Sequence, residues 1–360
     1  MTPTARLSAL GQSLWLDNIT RALLDDGTLA RYIASDSVTG LTSNPSIFDA
    51  AIGNGTAYDA DVRAHARAGV RGEELFIELA LADLRRAADL FRPVHDATGG
   101  LDGWVSMEIS PLLASDTDGS LAAALAIRRK AKRANLYVKI PGTLASLPAI
   151  EEAIYAGVPI NVTLLFSCAQ YVAAAGAYLR GVERRIAAGL DPNVASVASV
   201  FISRWDVAAN ARLPAPLHNR LGIAVGRDCY RAYRALLASP RWLRVAAAGG
   251  RAQRLLWAST GVKDPNAPDT LYVTALAAPD TVNTVPENTL CAFANHGEVT
   301  GTMPVDGGDA DATLATIRGR GIDLDALALK LQDDGAEAFV KSWQRLLQRL
   351  EEKARSLESA

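Results

Sequence analysis

The chain has 360 residues, 49% of them hydrophobic, and its 37 Lys and Arg nearly balance 39 Asp and Glu for a net charge of −2. That is enough apolar material for a large core and too little net charge for a broad electrostatic footprint on nucleic acid or an anionic membrane. Only seven of the 37 cations are lysines, so a lysine inside an apolar run calls for a chemical explanation.

In chain order, the candidate strands are 13–18, 38–44, 103–109, 135–140, 159–166, 194–202, 254–259 and 281–285, each a short apolar or alternating run between Ala-, Leu- and Arg-rich helical patterns. Eight strands alternating with helices predict an α/β chain folded as a closed (β/α)8 TIM barrel. A bare barrel of this kind takes about 250 residues, leaving roughly a hundred for additional helices. A single barrel domain over 1–360 is therefore expected, with a helical insertion at about 45–98 and a helical tail at about 309–357. In the tail, Phe339, Trp343, Leu346 and Leu350 share one stripe, which predicts a C-terminal amphipathic helix packed across the barrel.

Strand side chains alternate between faces, and the polar members fall on one parity. Lys139 lies with Asn135 and Tyr137 opposite Leu136, Val138 and Ile140. The same split puts Trp15 with Asp17, Thr42 with Asn44, Ser106 with Glu108, and Asn161 with Thr163. With the apolar faces packed on helices, five strands send Asp17, Asn44, Glu108, Lys139, Asn161 and Thr163 toward one axis. Such a set is costly in a dry core, so it predicts an active site at the C-terminal mouth.

A partly desolvated lysine can present a neutral amine that attacks a ketone, forming a Schiff base that acts as an electron sink for carbon–carbon cleavage. Equally, Lys139 is an inward lysine neutralised by Asp17 or Glu108, and its position alone leaves both readings open. Asp17 and Glu108 supply the proton transfers the first reading needs, while Asn44, Asn161 and Thr163 suit either hydroxyl recognition or bracing of strand ends. Other chemistries find no motif. There is no phosphate loop, no GxGxxG, no GxSxG and no HExxH. His65, His95, His218 and His296 lack ligand spacing, so no metal is expected. Cys168, Cys229 and Cys291 are odd in number and widely spaced, which predicts reduced thiols. The start MTPTARLSAL carries no signal-peptide pattern, and no apolar run reaches membrane-spanning length, so a cytoplasmic protein with no membrane or nucleic-acid partner is expected.

Two segments, Leu41-Thr42-Ser43-Asn44-Pro45-Ser46-Ile47-Phe48 and Leu136-Tyr137-Val138-Lys139-Ile140-Pro141-Gly142-Thr143, resemble the two signatures of the transaldolase family. Asn161-Val162-Thr163-Leu164-Leu165-Phe166-Ser167 is similar to the family's next strand, and Asp280-Thr281-Val282-Asn283-Thr284-Val285-Pro286-Glu287 to the last strand of its longer bacterial branch. The likeness runs from about residue 13 to 290. After Thr143 the family usually carries an acidic residue and Gly, where this chain has Leu144-Ala145-Ser146.

The resemblance implies a (β/α)8 enzyme of the non-oxidative pentose phosphate pathway with no metal or organic cofactor. It would pass a dihydroxyacetone unit from sedoheptulose 7-phosphate to glyceraldehyde 3-phosphate. By motif position, Lys139 looks like the Schiff-base nucleophile and Asp17 like the acid/base at the C4 hydroxyl. Glu108 with Thr163 resembles the pair that positions the water of imine chemistry, and Thr42, Asn44 and Asn161 would orient the three-carbon unit. Ser199, Phe201 and Arg204, in a run similar to the family's sixth strand, would line the substrate channel, with Arg204 as a two-pronged phosphate ligand. Lys263, with Ser259, is taken as the second phosphate contact, where the better-known branch has an Arg. Phosphorylated sugars are thus the expected partners, and monomer and homodimer both stay open. Two alternatives remain: a Schiff-base aldolase releasing dihydroxyacetone from fructose 6-phosphate, and a sugar-phosphate-binding barrel without chemistry.

Overall fold

Alternating β-branched and aromatic residues bounded by turns favour strands, because such side chains fit a pleated, buried surface. The structure, a computed structural model, describes residues 1–53 and 55–358. Its strands are β1 (Gln12–Leu16), β2 (Val38–Leu41), β3 (Trp104–Glu108), β4 (Leu136–Pro141), β5 (Ile160–Leu165), β6 (Ser196–Phe201), β7 (Arg254–Ala258) and β8 (Thr281–Val285). All pair in parallel in chain order and β8 closes on β1, giving the (β/α)8 barrel that the alternation of strands and helices predicts.

β1 and β2 end earlier than their sequence patterns, at Leu16 and Leu41. The ladder nevertheless continues for one more residue, since the Asp17 N–H donates to Val285 O and the Thr42 N–H to Leu16 O, each at 2.8 Å. Asp17 and Thr42 therefore keep strand parity while standing on the rim. Asn135 does not join the inward set. It precedes β4, and its Nδ2 donates to Ala88 O on the helix Gly72–Ala97 and to Gly103 O, each at 2.8 Å.

Below the mouth the interior is filled by Trp15, Trp104 and Tyr137, the last two stacked with ring centroids 4.1 Å apart. Gly40 makes room for this layer, because a Cβ there would lie 2.6 Å from the Trp15 indole.

Helices Pro45–Gly53, Asp59–Arg67 and Gly72–Ala97 lie between β2 and β3, and the helix Leu324–Glu358 packs on all three. Its buried stripe includes Phe339, Trp343, Leu346 and Leu350. Its first half also reaches the barrel. Gln332 Nε2 donates to Leu164 O at 2.9 Å and Gly142 O at 3.2 Å, and a Cβ on Gly335 would meet Leu164 Cδ2 at 3.0 Å. Leu164 has φ of +59°, and the β5–β6 register shifts between Val162 and Leu165. A left-handed non-glycine residue costs of order 1–3 kcal/mol, which the Gln332 bond helps offset, so the helix clamps a β-bulge beside the mouth.

Candidate active site

The strand ends at the C-terminal mouth surround a cleft of about 160 Å³. Register brings the central pieces together: Glu108 is opposite Lys139 across β3–β4, and Lys139 is opposite Asn161 across β4–β5. Lys139 Nζ lies 3.3 Å from Glu108 Oε2 and donates to Ser43 O at 3.0 Å. Both side chains are almost fully buried.

The two carboxylates sit in different settings. Burial raises the Glu108 carboxyl above its ordinary value; the Lys139 charge offsets part of this, and the Asp17 charge adds to it. Asp17 is also raised, again chiefly by loss of water, against the pull of Lys139 and of the Thr42 hydroxyl. Thr42 Oγ1 donates to Asp17 Oδ1 at 2.7 Å and lies 2.6 Å from Thr284 Oγ1. Raising an acid toward neutrality narrows its gap to an adjacent amine, the condition for passing a proton between them.

Neutral groups complete the wall. Asn161 Oδ1 accepts from Ser199 Oγ at 2.7 Å, and Asn161 Nδ2 lies 3.3 Å from Ser106 Oγ. The Asn44 carbonyl caps the helix Pro45–Gly53 by accepting from Ile47 N at 3.1 Å, which leaves its amide N–H groups for the cleft. Thr163 Oγ1 and Glu108 Oε1 are buried with no protein partner among the described residues. Each is free to bond a small polar molecule.

Arg204, Ser259 and Lys263 form the cationic side. Burial lowers the Arg204 guanidinium, which Asp334 partly reverses, and it lies 5.3 Å over the Phe201 ring. Arg204 and Lys263 form no salt bridge among the described residues, so both are available to an anion. Ser259 adopts φ of +55° and its Oγ is 2.9 Å from Ser203 Oγ.

The cleft thus gathers Asp17, Thr42, Asn44, Lys139, Asn161, Thr163, Ser199, Phe201, Arg204, Ser259 and Lys263. Glu108 stands apart from this lining, beside Lys139 in the barrel wall. Sequence reasoning missed Phe339, which reaches the cleft from the C-terminal helix, and Thr284 on β8. Thr284 shares the inward parity of Val282 and was open to the same alternation argument; Phe339 offered no signal beyond its apolar stripe. Two larger clefts, of about 740 and 800 Å³, lie elsewhere and lack a lysine beside a buried acid. Among the described residues, no three His, Cys, Asp or Glu side chains are grouped as metal ligands.

A family model described as transaldolase/fructose-6-phosphate aldolase matches residues 14–350. The chain is 45% identical to a transaldolase of Thermobifida fusca, with 97% of each chain covered, and 45% identical to a transaldolase of Arthrobacter sp., with 96% of each covered. It is 44% identical to a transaldolase of Mycolicibacterium smegmatis over 95% of each.

Proposed function

The chain belongs to the transaldolase/fructose-6-phosphate aldolase family, and from that premise we propose that it is a transaldolase of the non-oxidative pentose phosphate pathway. It moves a dihydroxyacetone unit from sedoheptulose 7-phosphate to glyceraldehyde 3-phosphate through a Schiff base on Lys139. The observation that carries this reading is the buried Lys139 Nζ, 3.3 Å from Glu108 and at the foot of a cleft with a second acid on one side and two cations on the other.

Lys139, having given a proton to Glu108, attacks the C2 ketone. Glu108 gives that proton to the forming alkoxide, takes a second from the nitrogen and delivers it to the departing hydroxyl, and water leaves as the iminium forms. Thr163 Oγ1 and Glu108 Oε1 hold this water. Asp17 then removes the C4 hydroxyl proton, the C3–C4 bond breaks into the iminium, and the aldose leaves an enamine of dihydroxyacetone. Thr42 keeps Asp17 aimed by its hydrogen bond, while Asn44 and Asn161 hold the three-carbon hydroxyls. Ser199 and Phe201 line the channel, and Arg204 with Lys263 and Ser259 receives the phosphate. The enamine attacks the acceptor aldehyde, the new C4 alkoxide takes back the proton held by Asp17, and hydrolysis releases fructose 6-phosphate. One amine, two carboxylates and a hydroxyl account for every proton and bond in the scheme.

No helix among the described residues is long and apolar enough to cross a membrane. The test is turnover of fructose 6-phosphate with and without erythrose 4-phosphate. A transaldolase needs the acceptor; equal rates without it give a dihydroxyacetone-releasing aldolase.

A further inference from the structure

A further cavity, of about 340 Å³, lies outside the barrel wall, among the helices Gly72–Ala97, Thr117–Ala131 and Leu324–Glu358. Glu108 and Ser110, at and just past the end of β3, form its inner side. Trp343 contributes another wall, and small side chains at Ala123 and Ala126 leave the space open toward Lys130 at the surface. Glu108 therefore faces two compartments, Lys139 on one side and this cavity on the other.

Glu108 Oε1, Ser110 Oγ and Trp343 Nε1 have no protein partner among the described residues, although these residues are only 5%, 5% and 1% exposed. Leaving such a group unpaired is unfavourable, and water bound at this polar inner side of an otherwise largely apolar cavity relieves it. At ~30 Å³ per molecule, several waters fit.

We propose that this rear cavity is the passage by which water enters and leaves the Schiff-base steps, with Ser110 and Trp343 as residues that position water behind Glu108. The inference rests on the Schiff-base reading above. In hydrolysis, the water oxygen bonds to C2 of the iminium while the C=N π pair returns to nitrogen and Glu108 takes a water proton. Glu108 passes that proton to nitrogen, then takes the hydroxyl proton as C2=O forms and the C2–N pair leaves on Lys139, and finally protonates the amine. One water is consumed; imine formation runs the same steps backward and expels one. The front cleft holds the sugar throughout, so a rear route lets water pass without loss of the intermediate.

The test uses Ala126→Phe, which fills the cavity. Enzyme preloaded with the dihydroxyacetone unit is mixed with glyceraldehyde 3-phosphate and quenched at short times. Carbon–carbon bond formation uses no water and keeps its rate, read as loss of the aldehyde. Release of fructose 6-phosphate slows roughly ten-fold, short of the full loss of an acid–base group, and borohydride traps an accumulated iminium. Ser110→Ala, which removes one hydroxyl with little change of shape, and Trp343→Phe, which removes the indole N–H but leaves a smaller ring, show the same split to a smaller degree and serve if Ala126→Phe does not fold. Equal slowing of both steps, or slowing of neither, in folded variants overturns the passage. Failure of the parent enzyme to load any three-carbon unit overturns the Schiff-base reading instead.

Discussion

The two ends of the barrel both bury charge, and they treat it in opposite ways. At the N-terminal floor, Asp102 accepts from Ser13 Oγ and, at 2.7 Å, from Trp15 Nε1. Arg254 there donates through its two terminal nitrogens to Leu101 O at 3.1 Å, to Ser13 Oγ at 2.5 Å and to Thr281 O at 2.8 Å, with its Nε alone lacking a protein partner among the described residues. At the mouth, Lys139 has one carbonyl and one carboxylate oxygen nearby, while Glu108 Oε1 and Thr163 Oγ1 have no protein partner among the described residues. Polar groups that satisfy one another hold a fold together, and those left with unused lone pairs are available to a reactant. The bonded Asp102, Ser13, Trp15 and Arg254 groups of the floor thus stabilise the barrel, while the unpartnered oxygens of the mouth leave it open to a reactant.

Substitutions at the two ends should separate these roles. Lys139→Met abolishes turnover and leaves the melting temperature close to that of the parent, measured by coupled assay and calorimetry; a catalytic effect matched by unfolding would erase the contrast. Asp17→Asn and Glu108→Gln each lower kcat by about 10² to 10⁴, the scale of one acid–base group, and near-normal activity in either variant removes that residue from the scheme.

The Asp17 variant also tests the electrostatics. Its raised carboxyl must be ionised to act as a base, so kcat falls with decreasing pH at values above the ordinary aspartate range, and Asp17→Asn loses that limb. The sign for stability is reversed. The native value exceeds the unfolded one, so this group's contribution is present at low pH and is lost as pH rises through the raised value; Asp17→Asn removes that loss.

At the floor, Asp102→Ala strands the Ser13 hydroxyl and the Trp15 indole N–H. It should cost about 2–6 kcal/mol, from roughly 1–3 kcal/mol for each unpaired group, while the folded fraction keeps most of its kcat. Denaturant unfolding together with an active-site titration checks this. The smallest effect belongs to Lys263→Ala. An exposed cation contributes about 1 kcal/mol at most, so KM for the phosphorylated sugar rises roughly five-fold with kcat little changed, and the rise shrinks in high salt.

Strand parity made the inward set legible because a period of two fixes which side chains share a face. Lys139, Asp17, Glu108 and Asn161 could be grouped by alternation alone, since each sits on or one residue past a strand with a clean pattern. Glu108's second face was not legible. It depends on how three helices pack behind β3, and Ala123 and Ala126 in sequence read as ordinary helix formers. The Leu164 bulge was equally hidden, because a leucine gives no local sign of positive φ and the bond that holds it comes from Gln332, far along the chain. Phe339 announced burial by its stripe but not its destination, which the docking of the whole C-terminal helix decides.

The most direct measurement is borohydride reduction of the enzyme with fructose 6-phosphate, followed by peptide mass analysis. If Lys139 is the Schiff-base nucleophile, a single reduced three-carbon or six-carbon adduct forms on Lys139, absent when sugar or borohydride is omitted. An unmodified Lys139 in enzyme that turns over normally, or an adduct on a different lysine, would contradict it.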